Sequence, residues 1–254
     1  ERAGISVPGG YEYTSPEAGM ADYRMYAGKP VVIKPKSTNF GLGITILKHN
    51  YDETDFKAAL QIAFEHDNTV LIEKFIPGRE FRIFIINDEV VGILHRVPAN
   101  VTGDGVLNIG QLIDRKNEDP LRGKGYRTPL EKIRKGREEE MFLKQQGMDF
   151  NTVPKEGEVV YLRENSNIST GGDSIDFTDD IDDSYKAIAV EAAKALNVKI
   201  TGLDMMIQDI HAPATPDNYA IIEMNFNPAI HIHCYPFKGK NRHLNHKMIR
   251  ALGF

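Results

Sequence analysis

Val31-Val32-Ile33-Lys34-Pro35-Lys36-Ser37-Thr38-Asn39-Phe40-Gly41-Leu42-Gly43-Ile44-Thr45-Ile46 is the stretch from which the rest of the chain is best read. A β-branched run delivers Lys34 at its end, a short polar loop follows, and Gly41 and Gly43 lead into a second apolar strand. Glycines let backbone N–H groups approach a polyphosphate closely, and lysine adds a mobile positive charge. No Gly-Lys-Ser/Thr opens a helix here, so this is not a P-loop. The pattern reads as a β-hairpin lid over phosphates. On this stretch alone, two strands joined by a glycine-rich turn with no ligand are the favoured reading, until other residues are added.

The chain has 254 residues, enough for one large or two modest domains. Its 41% hydrophobic and 26% charged content is ordinary for a globular enzyme. A net charge of −5 argues against a general nucleic-acid binder. Cys234 is the single cysteine, so no internal disulfide can form, which fits a reducing cytoplasm. No apolar run reaches membrane-spanning length.

Around that stretch, Ile5–Val7 reads as an edge strand closed by Pro8, and 14–25 as a short helix. Phe56, Ala59, Leu60, Ala63 and Phe64 share one face of a helix over 52–66. Val70–Ile72 is a strand, and 81–86 with 90–97 form a hairpin around Asn87-Asp88. A helix covers 108–117. The basic and acidic run 120–140 reads as a solvated loop and helix face. A strand at 159–161 precedes a polar segment, 163–176. An alanine-rich helix (184–196), strands at 200–207 and 219–224 and a last helix (241–252) complete the chain. Strict βαβ alternation is absent, so the class is α+β, built on antiparallel sheets.

Glu223 and Asn225, two apart on a strand, face the same side, and Asp204 opens the preceding strand. Two carboxylates and an amide carbonyl make a hard oxygen site for Mg²⁺ or Mn²⁺; the alternative is strand-end acids satisfied by Lys or Arg. Glu73-Lys74-Phe75-Ile76 before Pro77-Gly78 reads as a hinge whose main chain can pair with an adenine edge, with Glu80 for ribose hydroxyls. A buried loop as polar as Arg163-Glu164-Asn165-Ser166-Asn167-Ile168-Ser169-Thr170-Gly171-Gly172 would be costly unless it binds something polar. His231 and His233, alternating as in a strand beside Cys234, lack a fourth ligand for zinc. No nucleophile triad is present.

Four motifs resemble a known family over almost the whole chain. They are Lys34–Gly43 (KPKSTNFGLG), Val97–Gly105 (VPANVTGDG), Asn165–Asp173 (NSNISTGGD) and Glu223–Pro228 (EMNFNP). All are similar to the C-terminal ATP-grasp module of bacterial bifunctional glutamate–cysteine ligase/glutathione synthetases, with a weaker likeness to cyanophycin synthetases. The resemblance implies an ATP-grasp fold, with a lid subdomain at 1–76 and a larger subdomain at 77–254 gripping ATP between them. It implies Lys34 on ATP phosphates, a phosphate lid that includes Ser37, Thr38, Asn39, Gly41 and Gly43, adenine at Glu73, Lys74, Phe75 and Ile76, and ribose at Glu80. Asp204, Glu223 and Asn225 would hold two Mg²⁺ or Mn²⁺ ions. Arg163 would steady the transferring phosphate. Arg96, Asn165, Asn167, Ser169, Thr170, Gly171, Gly172 and Asn227 would meet substrate.

The activity implied is ATP-dependent joining of γ-glutamylcysteine and glycine into glutathione, with a glutamate–cysteine ligase domain upstream in the same polypeptide. Family members carry a helix with another phosphate-binding lysine before Ile5, so the chain reads as a piece of a longer protein, cytoplasmic, with neither nucleic acid nor membrane as partner. The rivals are a cyanophycin-like amino-acid ligase and a non-catalytic ATP-binding module.

Overall fold

Val31, Ile33 and Pro35 are buried while Val32 and Lys34 between them are half-exposed, which is the period of a one-sided strand. That alternation organises the first of two compact units, Ser6–Pro77 and Gly78–Phe254. The computed structural model describes residues 3–38, 41–48 and 50–254.

The first unit runs β1 (Gly10–Tyr13), α1 (Pro16–Ala21), α2 (Tyr23–Tyr26), β2 (Val31–Pro35), β3 (Thr45–Leu47), α3 (Glu53–Phe64) and β4 (Val70–Lys74). Its sheet has the order β1-β4-β2-β3, with every neighbouring pair antiparallel. Asp52 caps α3, accepting from the N–H groups of Thr54 and Asp55 at 2.8 and 2.9 Å. The buried stripe Phe56, Ala59, Leu60 and Ala63 packs on Val31, Ile33, Val70 and Ile72. Each large side chain so buried contributes about 1.5–3 kcal/mol. The sheet's other face carries Lys34 and Glu73 beside Val32 and Leu71.

Residues 5–9 form no strand, contrary to the reading of Ile5–Val7; the first strand begins at Gly10. Cross-strand space explains this. Gly10 lies opposite Glu73, and a Cβ on it would stand 2.3 Å from the Ile72 carbonyl oxygen, so the pairing needs glycine where local propensity expects a turn.

The second unit contains β5 (Arg79–Ile86), β6 (Glu89–Val97), β7 (Asn100–Thr102), α4 (Ile109–Lys116), β8 (Arg122–Gly123), β9 (Leu130–Glu131), α5 (Arg137–Gln145) and β10 (Val159–Tyr161). A 3₁₀ turn (Ile168–Thr170), β11 (Asp173–Asp176), α6 (Asp183–Ala195), β12 (Ile200–Ile207), β13 (Tyr219–Asn225), α7 (His231–Cys234) and α8 (Leu244–Ala251) follow. Five strands make an antiparallel sheet ordered β11-β6-β5-β12-β13. Helix α6 packs on β5 and β6, with Tyr185, Ala189 and Ala193 buried. Phe84, Ile86, Val91, Cys234 and Leu244 form a second core, which α7 and α8 share with the sheet. A third core joins Val101 and Val160 to Ile109, Leu112, Ile113 and Leu143. No helix among the described residues is long and apolar enough to cross a membrane.

Two expectations change here. Residues 120–140 are not simply a solvated face: Arg122, Glu131 and Glu139 are buried, and α5 begins inside the run. Residues 231–234 form one helical turn rather than a strand, which removes the alternating His pair.

His233 is fully buried against Phe84, with ring centroids 5.5 Å apart, and neither ring nitrogen has a hydrogen-bond partner. Burial, with nearby Arg82, holds its pKa down to about 3; burial with Arg79 holds His95 at about 4. Above about pH 6.5 both rings are neutral folded or unfolded, so they add no pH dependence. Below it the unfolded chain takes up protons that the folded chain refuses, and stability falls until the folded pKa values are reached. Lowering the pH from 7 to 5 should therefore cost about 2–4 kcal/mol. Urea unfolding at both values measures the loss, and His233→Leu should remove about half of it.

Candidate functional site

In the first unit, β2 and β4 set Lys34 and Glu73 on one sheet face, where Lys34 Nζ lies 2.6 Å from Glu73 Oε2. The loop after β2 is tied down at several points. Asp67 accepts from the Ser37 N–H at 2.7 Å, and the Thr38 hydroxyl donates to the Leu42 carbonyl at 2.9 Å. Gly41 and Gly43 take φ of 75° and 77°, a backbone that disfavours side chains. Asn39 lies outside the described residues. The Lys74 N–H donates to the Gly9 carbonyl and the Phe75 N–H to the Pro30 carbonyl, so the main chain at the end of β4 is held in place. Ile76, half-buried, precedes Pro77.

In the second unit, strand register builds a polar row across the sheet. Asp176 faces Leu94, Leu94 faces Arg82, Arg82 faces Asp204, and Asp204 faces Glu223. Arg82 grips Asp204 with its fork, through Nε and through an Nη at 2.8 Å. Arg96 donates to the same carboxylate at 2.9 Å and pairs with Glu80. Ser166 donates its hydroxyl to Glu80 at 2.6 Å, bringing the polar loop to this network. Burial would raise the pKa of Asp204, but Arg96 and Arg82 outweigh it and hold the carboxyl below its ordinary range.

Glu223 is exposed and Asn225 half-buried, and the Asn225 amide donates to Glu223 at 2.8 Å. A bulge in the β12–β13 pairing lies between Asp204 and Met205, at the metal candidates. Among the described residues no three His, Cys, Asp or Glu side chains are grouped as metal ligands. A hard cation here would therefore take two carboxylates and the Asn225 carbonyl. The donor chemistry suits such an ion: Glu223 would supply an accessible oxygen, while Asp204 would also keep its bonds to two guanidiniums.

The loop from Asn165 is ordered by its own side chains. The single Thr170 hydroxyl proton is shared between Asn165 Oδ1 at 2.9 Å and the Asn167 carbonyl at 2.8 Å. Gly171 takes φ 95°, and a Cβ on Gly172 would sit 2.7 Å from the Val97 carbonyl oxygen. Ser169 is half-buried and Asn227 exposed.

Arg163 stands apart from these groups, held by α5. Its Nε donates to Glu139 at 2.7 Å, and it also pairs with Glu138. Glu139, 1% exposed, accepts from the Gly136 N–H as well. Sequence reading missed Arg82 and Glu139. Arg82 had a signal, a charge inside the apolar strand 81–86. Glu139 sits among three consecutive glutamates and had none.

A family model described as the D-Ala–D-Ala ligase C-terminus matches residues 12–108. The "Glutathione biosynthesis bifunctional protein GshAB" of Desulfotalea psychrophila is 61% identical over all 254 residues, which are 33% of that protein. A crystal structure of a bifunctional glutathione synthetase from Pasteurella multocida is 46% identical, with a TM-score of 0.73 over 99% of this chain and 35% of its own. The ATP-grasp ligase PsnB, complexed with a precursor peptide and AMPPNP, shares the fold alone, at 14% identity and a TM-score of 0.50 over 98% of this chain and 55% of its own. The chain thus spans about a third of the length of the bifunctional relatives it matches.

Proposed function

We propose, for a chain that belongs to the ATP-grasp modules of the bifunctional glutathione biosynthesis proteins, that it joins γ-glutamylcysteine to glycine using ATP. The observation that supports this most is the in-register Asp204–Glu223 pair beside Asn225, next to a polar loop tied to the same network. The carboxylate of γ-glutamylcysteine attacks the γ-phosphorus of ATP and ADP leaves, giving an acyl phosphate. The glycine amine then adds to that carbonyl, loses a proton and expels phosphate. No covalent enzyme intermediate is needed.

Lys34 would exchange Glu73 for an ATP phosphate oxygen, and the Ser37–Gly43 loop would exclude water from the acyl phosphate. Glu73 to Ile76 would pair with adenine and Glu80 with ribose. Asp204, Glu223 and Asn225 would hold two Mg²⁺ or Mn²⁺ ions, whose charge would offset that of the phosphates. Arg163 would steady the transferring group, oriented by Glu139. Arg96, Asn227 and the Asn165–Gly172 loop would hold substrate. The partner implied is a glutamate–cysteine ligase domain in the same polypeptide, in the cytoplasm.

The test is incubation with Mg-ATP, γ-glutamylcysteine and glycine, each omitted in turn, with ADP and glutathione followed by mass spectrometry. Glutathione is expected only when all three are present. ADP with no glutathione in the full mixture would count against glycine as acceptor. Lys34→Met should raise the KM for ATP about 10- to 100-fold, the worth of one charge-assisted hydrogen bond. An unchanged KM would remove Lys34 from the nucleotide site.

A further inference from the structure

Among the seven basic residues of 122–137, Arg122 alone is buried, with its side chain fully removed from solvent. Its guanidinium donates to the Gly171 carbonyl at 3.0 Å and to the Glu131 carbonyl of β9 at 2.8 Å, and it pairs with Asp173. Lys116 reaches the same carboxylate at 2.7 Å. Two buried or half-buried cations thus share one buried carboxylate. Such an arrangement is an expensive way to gain stability, because desolvating the charges offsets most of their attraction.

Where the bonds go gives the arrangement a purpose. Gly171 and Asp173 flank Gly172 at the end of the polar loop, so Arg122 ties that end to β9. Gly171 itself packs on Ile133, where a Cβ would come within 2.8 Å of backbone. The loop's beginning is tied separately, by Ser166 to Glu80.

We infer that Arg122 is the positioning residue of the acceptor loop: by clamping Gly171 and Asp173 to β9 it sets the directions of Asn165, Asn167, Ser169 and Thr170 toward the amine substrate. The inference deepens the ligase reading and rests on it for the identity of the acceptor. Two carbonyls and a carboxylate around one side chain need a planar fork, so lysine can keep the ion pair but not the clamp. Misplacing such a loop by about 1 Å is enough to slow the reaction of a bound acceptor by about a hundredfold.

The test uses the whole chain with Arg122→Lys and Arg122→Met, the second close in length and uncharged, and two readouts. Hydrogen exchange at the Gly171 and Gly172 N–H groups, which donate to Ile168 and Asn167 carbonyls, should quicken about tenfold or more in both variants, with α6 and β12 unchanged. The KM for glycine should rise about tenfold or more while the KM for ATP stays within twofold, with Arg122→Lys intermediate. Unchanged loop exchange in folded variants would overturn the clamp. So would exchange that quickens equally everywhere, or glycine and ATP KM values that rise together, because both mark a structural role alone. If the native chain makes no glutathione, the ligase reading fails separately, and loop exchange still decides whether the clamp exists.

Discussion

On the proposed ligase reading, a chain carrying Glu223→Ala should fold as the native chain does and lose at least about a thousandfold in glutathione formation, the several kcal/mol a metal would supply to a phosphoryl transition state. Glu223 is exposed and accepts from the Asn225 amide, and buried Asp204 and Arg82 keep each other as partners when it is removed. An unfolding midpoint within error of the native value, together with lost activity, would assign the residue to the metal site. Turnover within tenfold of native would remove it from that site. Excess Mn²⁺ should recover part of the activity if Asp204 and Asn225 still offer a weakened site.

Asp204→Ala should behave differently, although it concerns the neighbouring proposed ligand. Asp204 is 2% exposed and answers both Arg82 and Arg96. Removing it takes away the carboxylate that both guanidiniums share, leaving Arg96 to Glu80 and Arg82 to the weaker, unbonded attraction of Glu223. Breaking a buried pair in this way costs about 3–5 kcal/mol. Against a total of about 5–15 kcal/mol, that is enough to unfold a large fraction of the chain under mild denaturant. Urea unfolding should show the midpoint falling sharply, and Asp204→Asn, which keeps the shape and one acceptor oxygen, should recover part of it. A midpoint unchanged in Asp204→Ala would mean that the two arginines gain nothing from the carboxylate.

The contrast between these residues shows where sequence reading stops. Alternation placed Glu223 and Asn225 on one face, and the structure has them on one face, because a strand's period is local. The hairpin around Asn87-Asp88 was legible for the same reason, since both residues adopt the positive φ such a turn needs. The α3 stripe was legible from its 3.6-residue period, and its Asp52 cap adds a local signal. Ile5–Val7 misled, because β1 is selected by the room that Gly10 leaves beside β4 rather than by its own side chains.

The sequence alone determined the α+β class, the long strands and helices, and the motifs that carry the resemblance, because period, turn chemistry and residue spacing are properties of neighbours along the chain. Tertiary structure alone decided which charges are desolvated and with whom. Arg82 meets Asp204 across 122 positions, Arg122 meets Asp173 across 51, and Arg163 meets Glu139 across 24. A charge in a basic run looks the same on paper whether it faces water or carbonyl oxygens. The difference lies in register and packing between distant segments, and desolvation makes that difference one of several kcal/mol.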